Sequence, residues 1–216
     1  KKKAGVILDN TNYAGIPALK WGTMFEPMAT RCYSQKHNDI LMHEFGLILD
    51  SDLEHFGASP DGINVDPNSP LYGRMLEIKN IVNRDITGIP KEEYWIQMQL
   101  QMKVCDLDEC DFLETRFTEY ADQNAFNEDI NSNNSKNVCL SNDLKHKGII
   151  LYFHTKEGRP YYVYKPLNLV TEEEILVWEE ETLDLYQSEK YNYTYIKFIY
   201  WKLDQISCVL VCRNRQ

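Results

Sequence analysis

Hydrophobic periodicity divides the chain into helical and extended segments. Apolar residues recur at helical spacing along 18–33 and predict a helix there, which Pro27 should break or kink because proline removes a backbone donor. A second helix is predicted over 91–104. Apolar runs bounded by polar residues predict strands at 46–49, 54–58, 74–82, 111–119, 148–154, 161–166 and 195–211. This pattern predicts an α/β (α+β) fold, with a central mixed β-sheet flanked by helices.

The C-terminal half adds a third helix and a long polar segment. Thr171 and Glu174 have the spacing of a capping box, which opens a helix. The apolar face of that helix is predicted to consist of Ile175, Trp178 and Leu185. Residues 122–143 are rich in Asn and Ser and show no periodicity, so we expect a mobile surface loop there.

Length and composition restrict the class of protein. The 216 residues suit a single domain over 1–216. No stretch of eighteen apolar residues occurs in the sequence, so we expect no membrane span. The cysteines are expected to be reduced thiols of an intracellular protein. Lys1–Leu8 has neither Met nor a signal-peptide pattern, and we expect residues to be missing at the ends. The net charge of −10 argues against a wholly basic nucleic-acid surface, although a local basic groove can coexist with acidic faces.

The strongest chemical signal is a turn followed by a charged strand. Asp61 lies in a Ser-Pro-Asp-Gly turn, and Glu77 and Lys79 follow on an apolar run. Alternate residues of a strand project from one face, so Glu77 and Lys79 share a side. If the turn folds against the strand, two carboxylates and an ammonium converge, which suits a hard divalent cation beside a water to be activated. Each half alone is more often structural, because such turns and exposed Glu-x-Lys pairs are common.

Four blocks in this order resemble the PD-(D/E)xK nuclease superfamily. They are Trp-Gly-x-x-x-Glu at 21–26, Gly-x-Ser-Pro-Asp-Gly at 57–62, Glu-Ile-Lys at 77–79 and a following helix with a motif glutamine at Gln97. Within the superfamily the chain is most similar to the lambda-exonuclease or YqaJ-type viral recombinases, including alkaline exonucleases of large DNA viruses and phages. The resemblance extends over residues 18–104 and implies a restriction-endonuclease-like core.

The resemblance also implies an activity and a site. The activity is hydrolysis of linear duplex DNA by a magnesium-dependent exonuclease, 5′ to 3′, for recombination, repair or genome maturation. Two Mg2+ ions are implied, and Mn2+ would substitute. The implied metal ligands are Glu26, Asp61, Glu77 and the backbone carbonyl of Ile78. Lys79 would position or deprotonate the attacking water, and Gln97 would hold Lys79 or the phosphate.

Contacts to DNA are expected around the same blocks. The candidates are Ser59, Arg31, Arg84, Lys91, Tyr94 and Gln101. Tyr94, Gln97 and Gln101 share one helix face. The early arginine of the family has no clear match, so recognition of a 5′-phosphate is left open. The partners implied are duplex DNA with free ends and a single-strand annealing protein. A homo-oligomer is compatible with the resemblance. If the protein is viral, the expected location is the host cytoplasm or nucleus.

Alternative interpretations remain open. The same core also supports a structure-specific endonuclease, or a DNA- or protein-binding protein that has lost catalysis. Cys208 and Cys212 are a weak metal signal without a second close pair or a nearby histidine, so reduced, buried thiols are expected. His43 and His55 are more often structural than catalytic. The tyrosines at 191, 193, 195 and 200 favour strand packing over stacking on bases.

Overall fold

The computed structural model describes residues 17–53, 55–134 and 136–215, with side chains from Lys20 onward. Its helices are α1 (Pro17–Lys36), α2 (Glu92–Cys105), α3 (Gln123–Glu128) and α4 (Glu172–Gln187). Its strands are β1 (Met42–His43), β2 (Ile48–Leu49), β3 (Gly57–Ala58), β4 (Gly62–Asn64), β5 (Met75–Asn80), β6 (Glu109–Glu119), β7 (Lys147–His154), β8 (Pro160–Tyr164) and β9 (Thr194–Cys212). The expectation for Lys1–Leu8 lies outside the described residues, as does the Glu54 end of the predicted strand 54–58.

The strands of the described part form a large mixed sheet. Its hydrogen-bonded order is β1-β4-β5-β6-β9-β7-β8, and β2 pairs separately with β3. β5 and β6 are parallel, and α2 is the crossover that a parallel pair requires. The pairs β4–β5, β7–β8 and β7–β9 are antiparallel. This arrangement confirms the predicted fold class.

The chain divides into two compact units, each with its own core. The first unit extends to Arg116 and includes the segment from Gln205 onward, and the second is formed by Phe117–Asp204. The core of the first contains Ile63, Met75, Met98, Met102, Cys110, Phe112 and Val211. The core of the second contains Phe126, Cys139, Ile149, Leu151, Phe153, Ile175 and Tyr200. The single domain predicted from length stays a prediction.

Helix α1 continues through Pro27, so the predicted break is wrong. Proline removes one backbone donor, but the helix is continuous on both sides of the exposed Pro27, and the alternative of a kink there stays a prediction. Phe25 and Met28 beside it are fully buried and fix the helix against the rest of the first unit. Among the described residues, none of the helices has the length and apolar content needed to cross a bilayer.

The second unit contains one helix that the sequence did not predict. Asp122 accepts a hydrogen bond from the Ala125 N–H at 2.9 Å and caps α3. Phe126 on α3 is 2% exposed. The segment 122–143 therefore includes a helical turn anchored in the core, and six residues are too few to show a helical period. Its mobility stays a prediction.

Helix α4 begins as predicted but has a different buried face. Thr171 and Glu174 form the predicted capping box. Ile175 is buried, but Leu185 is 45% exposed, so its assignment to the apolar face is wrong. Ten residues at 3.6 per turn place Leu185 about 80° around the helix from Ile175. Tyr186 packs against the core instead.

The indole of Trp201 on β9 packs directly over a glycine of β7. Gly148 lies opposite Trp201 in their register. A Cβ at position 148 would lie 2.7 Å from Trp201 Cε2, closer than real side chains come. The indole is almost fully buried and meets Phe117 edge to face at 5.4 Å. The tryptophan thus occupies the volume that any other residue at 148 would need.

Candidate active site

The Asp61 turn folds against strand β5. Gly62 begins β4 directly after Asp61 and pairs with Leu76 of β5. Extending this antiparallel register by one residue places Asp61 opposite Glu77. The Asp61 Oδ2 accepts the Ile78 N–H at 2.7 Å, which fixes the carboxylate on this strand. The predicted approach of turn and strand is therefore confirmed.

Glu77 and Lys79 share one face of β5. The Lys79 Nζ donates to Glu77 Oε1. Glu77 is completely buried, whereas Lys79 is half-buried. A buried carboxylate is costly unless it is paired, so this contact is part of what allows Glu77 to be inside the protein.

Helix α2 supplies two further donors to Glu77. Gln97 and Gln101 are four residues apart and lie on one face of the helix. The Gln97 Nε2 donates to Glu77 Oε1 at 2.7 Å, and the Gln101 Nε2 donates to Glu77 Oε2 at 2.9 Å. Gln101 also reaches the Ser59 carbonyl at 3.4 Å, which links the helix to the turn before Asp61.

The glutamines of helix α2 have distinct contacts. Gln97 donates to Glu77 Oε1, the same oxygen that accepts from Lys79, so it meets Lys79 through a shared carboxylate; its contact to a phosphate stays a prediction. Gln101 is 4% exposed and bound to Glu77, so the predicted DNA contact does not fit its burial. Gln99 points away, with its Nε2 donating to the Cys212 carbonyl at 3.0 Å.

The oxygen atoms at this edge of β5 suit a hard cation. The N–H and C=O of one strand residue point to the same edge, so the Ile78 carbonyl faces the side on which Asp61 lies. Asp61, Glu77 and this carbonyl offer the oxygen donors that Mg2+ prefers. The residues present thus fit the divalent ion implied by the sequence.

Glu26 approaches from helix α1. This helix packs against β5, and the Asn80 Nδ2 donates to the Gly22 carbonyl at 3.0 Å. Glu26 follows Gly22 by one turn and is half-buried. Its role as a metal ligand stays a prediction.

Two cations gather around Tyr94. The Lys79 Nζ lies 5.0 Å and the Arg84 Cζ 5.6 Å from the centroid of its ring. Arg84 also forms an ion pair with Glu114, which is 1% exposed and lies opposite Lys79 in the β5–β6 register. Glu114 was not predicted from the sequence. No local pattern marks it, because its neighbours in the chain are one apolar and one polar residue, and its partner Arg84 lies on a different segment.

The remaining candidates are more dispersed. Lys91 is exposed at the start of α2, three residues before Tyr94. Arg31 is exposed on α1. His43 and His55 are exposed as well. Ser59 contributes its carbonyl to Gln101.

A buried thiol reports the charge of the site. Burial first, and then the negative charges of Glu77, Asp111 and Asp61, raise the pKa of Cys110 well above its ordinary value. Cys110 lies opposite Met75 at the start of the parallel pair. The carboxylates of Glu77 and Asp61 therefore lie close enough to act on this thiol from β5 and its preceding turn.

Comparison with known proteins gives one family and one viral relative. Residues 2–108 match the model of the YqaJ-like viral recombinase domain. The chain is 33% identical over 220 residues to uncharacterized protein R354 of Acanthamoeba polyphaga mimivirus, covering 90% of this chain. The chain spans 40% of the length of that relative.

Two solved structures resemble the fold at low similarity. The crystal structure of an alkaline exonuclease, LHK-Exo, from Laribacter hongkongensis matches with a TM-score of 0.41 and 24% identity, over 77% of this chain and 64% of that one. The complex of LHK-Exo with dAMP matches with a TM-score of 0.40 and 22% identity, over 84% and 75%.

Proposed function

This chain carries a YqaJ-like viral recombinase domain over residues 2–108 and belongs to that family, and on this premise we propose that it is a metal-dependent DNA exonuclease. The observation that carries the proposal is the meeting of Asp61, Glu77 and Lys79 on strand β5. The reaction is hydrolysis of phosphodiester bonds in linear duplex DNA, 5′ to 3′. The process served is recombination, repair or genome maturation.

The site residues take distinct parts in this reaction. Asp61, Glu77 and the Ile78 carbonyl hold Mg2+ or Mn2+, and Glu26 completes a second ion site. A bound divalent ion polarises the phosphoryl oxygen and lowers the pKa of water. Lys79 orients the attacking water or donates to the phosphate, since its ammonium has three donors. Gln97 and Gln101 keep the Glu77 carboxylate in position.

The cations near Tyr94 provide the DNA contact. Lys79 and Arg84 lie against its ring, and Lys91 is exposed nearby on the same helix. Contacts to phosphates position a duplex without reading its sequence, so we expect little sequence preference. The partners are duplex DNA with free ends and a single-strand annealing protein.

The test is digestion of 5′-phosphorylated linear duplex beside closed circular DNA. Glu77→Gln removes the charge of a metal ligand, and a bound metal stabilises the transition state by several kcal/mol. We therefore expect the rate to fall on the order of 10³-fold. The matched control is Glu93→Gln, an exposed position on α2, which should keep full activity. Removal of divalent metal with EDTA should stop the wild type.

The outcomes separate the alternatives. Shortening of linear DNA alone supports the exonuclease, and labels at the 5′ or 3′ end give its direction. Cutting of circles would identify an endonuclease on the same core. If neither substrate changes, the chain is a binding protein, and if Glu77→Gln stays fully active, the site is wrongly assigned.

A further inference from the structure

A second cluster of potential ligands lies in the first unit. A ring nitrogen of His37, a carboxylate oxygen of Asp111 and the Sγ of Cys208 all lie within 4.8 Å of one another. We propose that these three side chains bind a transition-metal ion of the zinc type, separate from the centre at Asp61 and Glu77. The proposal does not depend on the nuclease activity.

The donor set selects the class of ion. Nitrogen, oxygen and thiolate sulfur together suit Zn2+ or Co2+, whereas Mg2+ and Ca2+ prefer oxygen alone. Zinc bonds of about 2.0–2.3 Å at tetrahedral angles place ligand atoms roughly 3.2–3.7 Å apart. Side-chain movements of about 1 Å bring the three atoms to this spacing. Water completes the tetrahedral shell.

Burial makes the cluster more than a chance meeting of surface groups. Asp111 is 4% exposed, and His37 and Cys208 are half-buried. The His37 Nε2 is inaccessible to solvent and has no hydrogen-bond partner within the described ranges. A buried polar atom without a partner costs free energy, and a bond to a metal ion removes that cost.

Neighbouring groups orient the proposed ligands. The Tyr33 hydroxyl donates to Asp111 Oδ2 at 2.6 Å, and the Tyr33 ring packs on the His37 ring with centroids 4.5 Å apart. Such outer contacts fix ligand geometry at metal sites. The Arg74 Nη1 also donates to Asp111 Oδ1 at 2.9 Å.

The charge of Arg74 does not exclude a cation. Its Nη2 is paired with Glu109 at 2.6 Å, which offsets the guanidinium charge. Asp111 and a Cys208 thiolate then balance a divalent ion. Burial and the charge of Asp111 raise the pKa of Cys208 to about 11, although Lys36 and Arg74 oppose this, so the thiol would release its proton as the ion binds.

An ion at this position would connect three distant segments of the first unit. His37 directly follows α1, Asp111 lies on β6 and Cys208 lies on β9. A ligand that binds only the folded state stabilises it. The role that fits this arrangement is structural, because the ion would fasten the end of α1 to the sheet.

The test is titration of the metal-free protein with Co2+ in excess Mg2+, which keeps the hard-oxygen site filled. We expect one equivalent to produce a sulfur-to-cobalt charge-transfer absorption that Zn2+ removes. Wild type and Cys212→Ser should show it, and Cys208→Ser should not. Tyr33→Phe keeps the ring but loses the contact to Asp111, so the affinity should fall about 10–100-fold.

Alkylation of the thiols gives an independent readout. Zn2+ should slow alkylation of Cys208 by about tenfold or more while leaving the exposed Cys212 unchanged. Absence of the absorption in wild type, or its survival in Cys208→Ser, would overturn the proposal. So would Cys208 alkylation that Zn2+ does not slow. The rate at which Cys208→Ser digests linear DNA in Mg2+ should equal that of wild type. The nuclease proposal is thus tested by digestion and the zinc-type site by absorption and alkylation, so failure of one can be told from failure of the other.

Discussion

Glu77 shows how single residues determine the candidate site. Its carboxylate is completely buried and accepts hydrogen bonds from Lys79, Gln97 and Gln101. Gln101 is the most buried of these donors and also reaches Ser59. Its Oε1 has no hydrogen-bond partner in the part of the chain that the structure describes. The hydrogen bonds that Gln101 makes with the side chain and backbone around it are therefore those donated by its Nε2, and the one to Glu77 orients that carboxylate.

Replacement of Gln101 by leucine should affect both stability and metal use. The Glu77 Oε2 would lose its buried donor, so we expect the free energy of unfolding to fall by about 1–3 kcal/mol. The Mg2+ concentration for half-maximal digestion should rise roughly 10–100-fold, as when a partner of a metal ligand is removed. Urea unfolding and a Mg2+ titration of activity measure the two effects.

Gln99→Leu is the control, because Gln99 lies on the same helix but contacts Cys212. It should leave the Mg2+ requirement unchanged. A loss of stability in Gln101→Leu without any change in Mg2+ requirement would show that Gln101 is structural only.

The residues of the site that are close in the chain could be predicted from the sequence. Asp61, Glu77 and Lys79 fall within one turn and one strand, so their meeting follows from local patterns. Gln101 was assigned to DNA because a helix face does not reveal which side is buried. Glu114 was missed because its partner Arg84 lies on a different segment.

At the scale of elements, the existence of the longer helices and strands was predicted correctly, although the break in α1 and the buried face of α4 were not. The helix α2, the strand β5 and the capping box of α4 each have a strong local signal. Helix α3 is too short for a period and depends on Asp122 and on the burial of Phe126. Tertiary packing therefore supplied what the periodicity lacked.

Strand β7 is tied to the end of α3 by a buried lysine. The Lys147 Nζ donates to the Phe126 carbonyl at 2.6 Å and to the Asp129 carbonyl. It lies 4.1 Å from the centroid of the Phe126 ring. Burial lowers the pKa of Lys147 from 10.5 to about 8, although the charge of Asp129 opposes this.

The lowered pKa predicts a pH dependence of stability. Between about pH 8 and 10.5 the unfolded chain holds a proton on this lysine that the folded protein has lost. Stability from Lys147 therefore rises with pH in this window, by at most about 1.4 kcal/mol per pH unit. Lys147→Met removes this contribution, so wild type should gain relative to the variant as pH rises. Urea unfolding from pH 7.5 to 9.5, about the lower part of the window, measures this.

Lys145→Met is the matched control. Hydrogen bonds to Asp204 and Asp143 raise the pKa of Lys145 above 10.5. This lysine is therefore protonated in both the folded and the unfolded protein below pH 10.5, and it causes no rise of stability with pH there. A constant difference between wild type and Lys147→Met across the range would contradict the assignment. Tyrosines and the other thiols titrate in both proteins and cancel, whereas Cys139, whose pKa is raised by burial while the charge of Lys147 opposes this, is replaced by serine in both proteins for this comparison.

At the scale of the whole molecule, net charge opposes DNA binding. The chain has 33 acidic and 23 basic residues. Binding to a polyanion must therefore depend on a local group of cations, which we place around Tyr94. Composition alone could not locate this group, because Lys79 and Arg84 meet at the Tyr94 ring only after folding. Lys91 lies three residues before Tyr94 in the chain.

Lys91→Gln tests that placement. Loss of one phosphate contact should reduce the slope of log affinity against log salt by about 0.9 and weaken binding equally across sequences. Binding of labelled duplex to the Glu77→Gln protein at several salt concentrations provides the measurement. Lys156→Gln, exposed between β7 and β8, is the control and should not alter the slope. An unchanged slope for Lys91→Gln would remove Lys91 from the interface.

The cluster of His37, Asp111 and Cys208 marks the limit of sequence reasoning. The spacing of the cysteines gave a weak metal signal because no histidine lies near Cys208 in the chain. The sheet brings His37 there from the end of α1. A ligand set assembled from three segments leaves no motif for a pattern to detect.

The close approach of Gly148 and Trp201 also restricts how this chain can evolve. Position 148 cannot gain a side chain while the indole fills the space above it. Trp201 can be replaced by a smaller residue first, at the cost of a cavity. Substitutions at the two positions are therefore ordered in time, and a lineage that enlarges residue 148 must already have reduced residue 201.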